Sequence, residues 1–116
     1  MAIELRPAQA LRLLHRNALL QTLEDEHDLT VRQTAILLTI YLETPPHTVR
    51  GLAARLAVTK PVITRALDTM GGLELLERRR DPLDKRNVLV RRTVKGSLHV
   101  SRMADRLVAE ATALAP

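Results

Sequence analysis

Val58-Thr59-Lys60-Pro61-Val62-Ile63-Thr64-Arg65-Ala66-Leu67-Asp68-Thr69-Met70 is the stretch on which the fold turns. At about 100° per residue it places Ile63, Ala66, Leu67 and Met70 on one face and Pro61, Thr64, Arg65 and Asp68 on the other. Thr59 suits the N-cap, where a hydroxyl accepts from an orphan backbone N–H, and Pro61 suits the first turn, where no donor is needed. Gly71-Gly72 is expected to stop the helix. The spacing predicts a short helix anchored by apolar side chains and offering a cation and hydroxyls outward, a face that suits the major groove of a duplex.

The flanking residues extend this reading. Upstream, Thr48 is expected to cap a short helix to about Leu56, with Leu52, Ala53 and Leu56 inward and Ala57-Val58 as the turn. Downstream, Leu75–Arg80 and Asn87–Arg92 read as antiparallel strands joined by the polar tip Asp81-Pro82-Leu83-Asp84-Lys85-Arg86. Two short helices, a tight turn and a basic hairpin make a winged helix-turn-helix, mainly α with a small β-hairpin. Before them, Thr30-Val31-Arg32-Gln33 fits a capping box, and Ala35–Leu42 is apolar nearly all round, as a central buried helix would be. Thr44-Pro45-Pro46-His47 reads as a rigid connection that no helix crosses.

The outer segments also read as helices. The first runs from Pro7 to about Glu26, with Leu11, Leu14, Ala18 and Leu19 on one face and Leu13, Leu20 and Leu23 widening the stripe. Its end, Glu24-Asp25-Glu26, sets acids where the helix dipole disfavours them, which the sequence leaves without a physical account unless a basic partner lies nearby. Thr93 is expected to cap a last helix to about Ala113, with Val100, Met103, Leu107, Ala111 and Leu114 at helical spacing. The 116 residues are read as one domain, with a core at 29–93 flanked by helices at 1–28 and 94–116.

Charge follows the same division. Residues 1–47 carry four arginines against six acids, whereas residues 48–116 carry fourteen Lys and Arg against seven acids, so the positive charge lies with the helix pair and hairpin. With one Tyr and no Phe or Trp, base stacking on a single strand is disfavoured. With no Cys, disulfides and zinc-thiolate sites are excluded. No apolar run approaches ~18 residues and no signal peptide is visible, so a soluble cytoplasmic protein is expected, with no membrane contact. His15, His27, His47 and His99 are scattered without metal-ligand spacing and are expected at the surface or in caps. His99 alone, on a helix expected to associate, offers a pH-sensitive contact. No glycine-rich phosphate loop is present, and Asp81 and Asp84 sit among arginines unsuited to a metal. Neither a catalytic site, a metal nor a cofactor is expected.

Several ordered motifs resemble the MarR-type transcriptional regulators. They are Leu29-Thr30-x-x-Gln33, Leu52-Ala53-x-x-Leu56-x-Val58-Thr59, Val62-Ile63-Thr64-Arg65-x-Leu67-Asp68, Asp81-Pro82-x-Asp84-x-Arg86-x-Val88 and Thr93-x-x-Gly96. The resemblance covers residues 29–96 and implies a homodimer of winged helices on a pseudo-palindromic double-stranded DNA site, usually a repressor released by a small aromatic or anionic effector. It implies that Arg86 enters the minor groove, that Asp84 holds the wing in shape, and that Lys60, Pro61, Thr64 and Arg65 face the major groove. The chain departs from the family pattern at Arg92, where an apolar residue is usual, so that corner is expected to be solvent-open or paired with an acid. A second C-terminal helix, usual in the family's dimer platform, is not in the sequence; the first and last helices are expected to dimerise through Leu11, Leu14, Ala18, Val100, Met103, Leu107, Ala111 and Leu114.

Phosphate contacts are expected from Thr48, Arg50, Thr59, Arg78, Arg79 and Arg80, with Lys85 also at the DNA-facing tip. Base readout is expected from Lys60, Thr64 and Arg65 in the major groove and Arg86 in the minor. The plainer reading makes Arg65 and Asp68 a surface ion pair. Two alternatives keep the fold and change the role: a winged-helix module that binds another protein, or a ligand-independent DNA-binding accessory factor.

Overall fold

The computed structural model describes residues 3–25 and 27–114, in the order α1 (Pro7–Glu24), α2 (Val31–Leu42), β1 (His47–Thr48), α3 (Val49–Leu56), α4 (Lys60–Gly72), β2 (Leu76–Arg80), β3 (Val88–Arg92) and α5 (Val94–Ala113). The chain divides into a unit of residues 29–100 and a second of residues 1–28 with 101–116. The first turns of α5 therefore belong with the winged helix rather than with the outer helices.

Hydroxyl caps start three helices of the 29–100 unit. Thr30 Oγ1 accepts from the Gln33 N–H at 3.0 Å while Gln33 Oε1 accepts from the Thr30 N–H at 2.9 Å, closing the expected capping box. Thr48 Oγ1 accepts from the Gly51 N–H, and Thr93 Oγ1 from the Gly96 N–H, both at 2.9 Å. Two of these helices, α2 and α3, share one core with α4, built from Ile36, Leu37 and Ile40 of α2, Leu52 and Ala53 of α3, and Ile63, Ala66, Leu67 and Met70 of α4. Leu75, Leu76 and Val90 close it from the sheet side. A fully buried aliphatic side chain contributes about 1.5–3 kcal/mol, and this burial, more than propensity, holds helices as short as α3.

The sheet has three antiparallel strands in the order β1-β3-β2, one more than the expected hairpin. His47 and Thr48 pair with Val90 and Leu89 directly after the prolines, a bridge too short to leave a period in the sequence. The helix ends at Gly72, as the glycine pair implies, but neither glycine takes the left-handed turn, and a Cβ on either would meet nothing. Glu74 takes the left-handed turn at φ 63°, which returns the Leu75 N–H to the Met70 carbonyl at 3.0 Å. Arg92 is exposed, as the open corner was expected to be, and it has no acid partner among the described residues, yet its guanidinium is not free. Its Nε donates to the Ile40 carbonyl at 2.8 Å and its Nη2 to the Glu43 carbonyl at 3.4 Å, so a cation satisfies orphan carbonyls at the end of α2. Its guanidinium also lies 5.7 Å from the Tyr41 ring centre.

The lone tyrosine ties the unit together. Tyr41 Oη donates to the Leu75 carbonyl at 2.8 Å and accepts from the Thr93 N–H at 3.0 Å. Thr93 Oγ1 donates in turn to the Glu74 carbonyl at 2.7 Å. Gly96 is buried against this node, and a Cβ there would run into Tyr41 Oη and the Leu75 carbonyl oxygen. His99, expected at the surface, is buried three residues further along α5. Val100, expected at the dimer face, packs against the winged-helix core.

In the other unit, α1 and the later turns of α5 are joined by charge. Arg106 grips Asp25 through both nitrogens, at 2.7 and 3.1 Å, with both side chains almost fully buried. Asp25 is the C-cap of α1, so this is the basic partner that the acidic helix end requires; Glu26 lies outside the described residues. Arg16 pairs with Glu110 at 3.2 Å. Burial within the unit is otherwise thin. Leu13 and Leu20 of α1 and Met103 and Leu114 are half-buried, Leu11, Leu14, Ala18, Leu107 and Ala111 are exposed, and no residue of α1 is fully buried. No helix of the described residues is long and apolar enough to cross a membrane.

The Tyr41–Gly96 contact gives a prediction. Gly96→Ala should destabilise by about 1–3 kcal/mol through overpacking, and Tyr41→Phe by a similar amount through its stranded backbone partners. In denaturant unfolding the double variant should lose less than the two losses combined, because removing the hydroxyl clears part of the clash.

Candidate nucleic-acid interface

The helix pair meets at a left-handed turn. Ala57 sits at φ 56°, and the Val58 N–H returns to the Ala53 carbonyl at 3.0 Å, ending α3 and aiming α4. On α4, Lys60, Pro61, Thr64, Arg65 and Asp68 are all exposed while Ile63, Ala66, Leu67 and Met70 are buried, the division that the period implies. Thr59 is the N-cap by position, yet its hydroxyl makes no capping bond; its carbonyl accepts from Val62 and Ile63 instead.

Beside this helix, four elements bring cations around a cleft of about 220 Å³. Arg50 comes from α3, Lys60 and Thr64 from α4, Arg78 from β2 and Arg86 from the wing, with Val49, Asn87 and Val88 completing the lining. Arg65 lies on the other flank of α4, in a groove of about 340 Å³ shared with Thr30, Arg32 and Gln33. Thr48 remains half-buried, its hydroxyl committed to the α3 cap.

Acids fix the wing. Asp84 Oδ1 accepts from the backbone N–H and Nε of Arg86, both at 3.1 Å, and Oδ2 from its Nη2 at 3.2 Å. The Asp84 carboxyl is thereby held below the usual carboxylate range, first by the Arg86 side chain, then by the Arg86 backbone N–H, with a smaller contribution from the Arg50 charge. Asp81 Oδ1 accepts from the Leu83 N–H at 2.9 Å, and Arg80 Nη1 donates to the Lys85 carbonyl at 2.7 Å. The Arg86 side chain stays 85% exposed even so, a restrained cation at the tip.

The pleat separates the three arginines of β2. Neighbours along a strand point to opposite faces, so Arg78 and Arg80 share a face with Leu76 and, across the pairing, with Val90 and Val88. Arg78 donates to Asp68 of α4 at 2.6 Å, which makes Asp68 a tether between helix and sheet rather than the partner of Arg65. Arg79 points to the other face and pairs with Glu77 at 3.4 Å, so it does not join the cleft. Asn87 in the cleft and the tethering role of Asp68 had no signal in the spacing beyond an acid on the exposed face close to an arginine run.

A left-handed turn between two short helices, a projecting cationic helix face and a restrained arginine wing define a winged helix-turn-helix domain. The MarR family pattern matches residues 29–88, just over half of the chain, and the chain belongs to the MarR family. It is a DNA-binding transcriptional regulator and not an enzyme. Among solved structures, the transcriptional regulator BldR from Sulfolobus solfataricus is 28% identical with a TM-score of 0.64, over 88% of this chain and 70% of that one. The PcaV transcriptional regulator from Streptomyces coelicolor is 26% identical with a TM-score of 0.67, over 95% and 81%. MepR from S. aureus, solved as a DNA complex, shares the fold at 19% identity and a TM-score of 0.66, over 88% and 75%. No curated protein sequence matches the chain.

The Asp84 geometry fixes a pH dependence. A carboxyl lowered in the folded state contributes stability above its unfolded value of about 4 and loses it as pH falls through the lowered value, so the wing should be insensitive to pH near neutrality. Carbon-detected NMR titration should place the Asp84 midpoint below that of an ordinary aspartate, and Arg86→Gln should return it upward. An unmoved midpoint would show that Arg86 does not hold the wing acid.

Proposed function

We propose that this regulator acts in the cytoplasm as a homodimeric repressor on a pseudo-palindromic operator, with α4 in the major groove and the wing in the adjacent minor groove. The observation that carries this reading is the convergence of Arg50, Lys60, Thr64 and Arg86 on one cleft beside the exposed face of α4. Helix N-terminal side chains reach base edges in this fold class, and a narrow minor groove attracts an arginine. Lys60, Thr64 and Arg65 then read bases, Pro61 bounds the helix entry, and Arg86 reads groove width. Arg50, Thr59 and Lys85 hold phosphates, with Arg78 and Arg80 adding positive charge from behind. Thr48 and Arg79 are the weakest members, one committed to a cap and the other turned to the opposite face.

The dimer is supported by the unburied stripe of α1, on which Leu11 and Leu14 are each about two-thirds exposed. A second copy of this chain that covers Leu11, Leu14, Ala18, Met103, Leu107, Ala111 and Leu114 would bury it. Release by a small aromatic or anionic effector belongs to the same reading, and the relative PcaV has been solved with its natural ligand.

Two measurements test these points. On a duplex selected from a random pool and on unselected duplex, Arg65→Ala should weaken selected binding by about 1–3 kcal/mol and relax preference, while Arg50→Ala should weaken both about equally. Equal losses for both variants on both duplexes would reject the division between readout and phosphate contact. In sedimentation, Leu11→Asp with Leu14→Asp should give a monomer that keeps the winged-helix unfolding transition and loses selective binding. A dimer that persists would rule out the α1 stripe as the interface.

A further inference from the structure

A helix lying in a major groove has a sugar–phosphate strand on each side, because the groove is about 12 Å wide and bounded by both backbones. The cleft of Arg50, Lys60, Arg78 and Arg86 supplies cations on one flank of α4 only. At 100° per residue, Lys60 and Thr64 fall on that flank, while Val62 and Thr69 fall nearly opposite, across the outward face. The opposite flank is the groove between α4 and the start of α2, where Arg32 stands beside Arg65.

Arg32, like Arg50 and Lys60, occupies the first turn of a helix, where the dipole disfavours positive charge and where that turn holds no acid. It is the one of these three on the Arg65 flank of α4. Arg55, Arg78 and Arg79 are paired with Glu43, Asp68 and Glu77, and Arg92 is bound to backbone carbonyls. Among the described residues neither Arg32 nor Arg65 has an ion pair or a side-chain hydrogen bond, and both are exposed. A cation held against a dipole, unneutralised and set beside the recognition helix, gains most when an anion comes to that flank.

We infer that Arg32 contacts the phosphodiester strand across the major groove from the wing, so that α4 is clamped to both backbones. Arg65 shares this groove and remains free to reach inward to bases. This rests on the placement of α4 in the major groove proposed above, and the experiment separates the two.

The test measures duplex affinity against salt concentration for the full chain and for Arg32→Gln, Arg32→Lys and Lys60→Gln. Each phosphate contact contributes about 0.9 to the slope of log K against log salt. Arg32→Gln should lower the slope by about that much per bound protomer, weaken selected and unselected duplex alike, and leave the thermal unfolding midpoint unlowered. Arg32→Lys should restore most of the slope. A neutral methylphosphonate scan should find a position that weakens the parent and not Arg32→Gln, on the strand opposite the one found with Lys60→Gln. An unchanged slope for Arg32→Gln beside a lowered slope for Lys60→Gln overturns the inference and leaves the placement of α4 standing. Unchanged slopes for both overturn that placement as well, and a loss confined to selected duplex overturns the phosphate assignment.

Discussion

The Tyr41 hydroxyl is the constraint on which the placement of the wing depends. One oxygen joins the end of α2 to the Leu75 carbonyl, where α4 turns into β2, and to the Thr93 N–H, where β3 turns into α5. These groups lie 34 and 52 residues from Tyr41 in sequence, so a single part-buried polar atom closes both ends of the hairpin onto the central helix. Part-buried backbone groups left without it would incur the full desolvation penalty, so the hydroxyl cannot be lost cheaply. Gly96 belongs to the same constraint, since only a residue without a side chain lets α5 begin so close to that oxygen. The aromatic content of the whole chain is therefore concentrated at one structural joint.

From that joint outward, acids rather than apolar contacts set the geometry of the cationic surface. Asp68 binds Arg78 across the gap between α4 and β2, and Asp84 folds the Arg86 side chain back against its own turn. A loop as short and exposed as the wing has little apolar area to bury, and hydrogen bonds with charged partners are the strongest local substitute. On the proposed wing contact, ordering the arginine before DNA arrives would lower the entropy lost on binding. The same acids reduce net charge locally, so they exchange some long-range attraction for shape.

The helices were legible because their signals are local. The Thr30 capping box, the Thr48 and Thr93 caps and the 3.6-residue period of Ile63, Ala66, Leu67 and Met70 each act within one or two turns, and each appears where the pattern puts it. What the pattern could not carry was tertiary choice. Arg92 looked like a departure at an apolar position because the end of α2 that it satisfies lies 52 residues away. The Gly71-Gly72 pair marks where α4 ends, yet the left-handed turn that glycine would permit is taken two residues later by Glu74. The acidic end of α1 needed a partner that only folding supplies, Arg106, 81 residues on.

The candidate surface was legible at the level of its elements and not at the level of its arginines. A run such as Arg78-Arg79-Arg80 reads as one basic patch until the strand period is imposed, after which it divides into two faces with different partners. Net charge is for this reason a poor guide to contact. Many of the basic side chains hold the protein together, by joining helix to sheet, by satisfying carbonyls or by pinning the wing. Under the proposed function, the cations that would exchange water for phosphate include Arg32, Arg50 and Lys60, which border α4 from α2, from α3 and from its own first turn. The chain thus separates its positive charge by local geometry: paired arginines such as Arg78 and Arg92 join helix to sheet, and on the proposed reading the unpaired ones beside α4, with the wing's Arg86, would hold the nucleic acid.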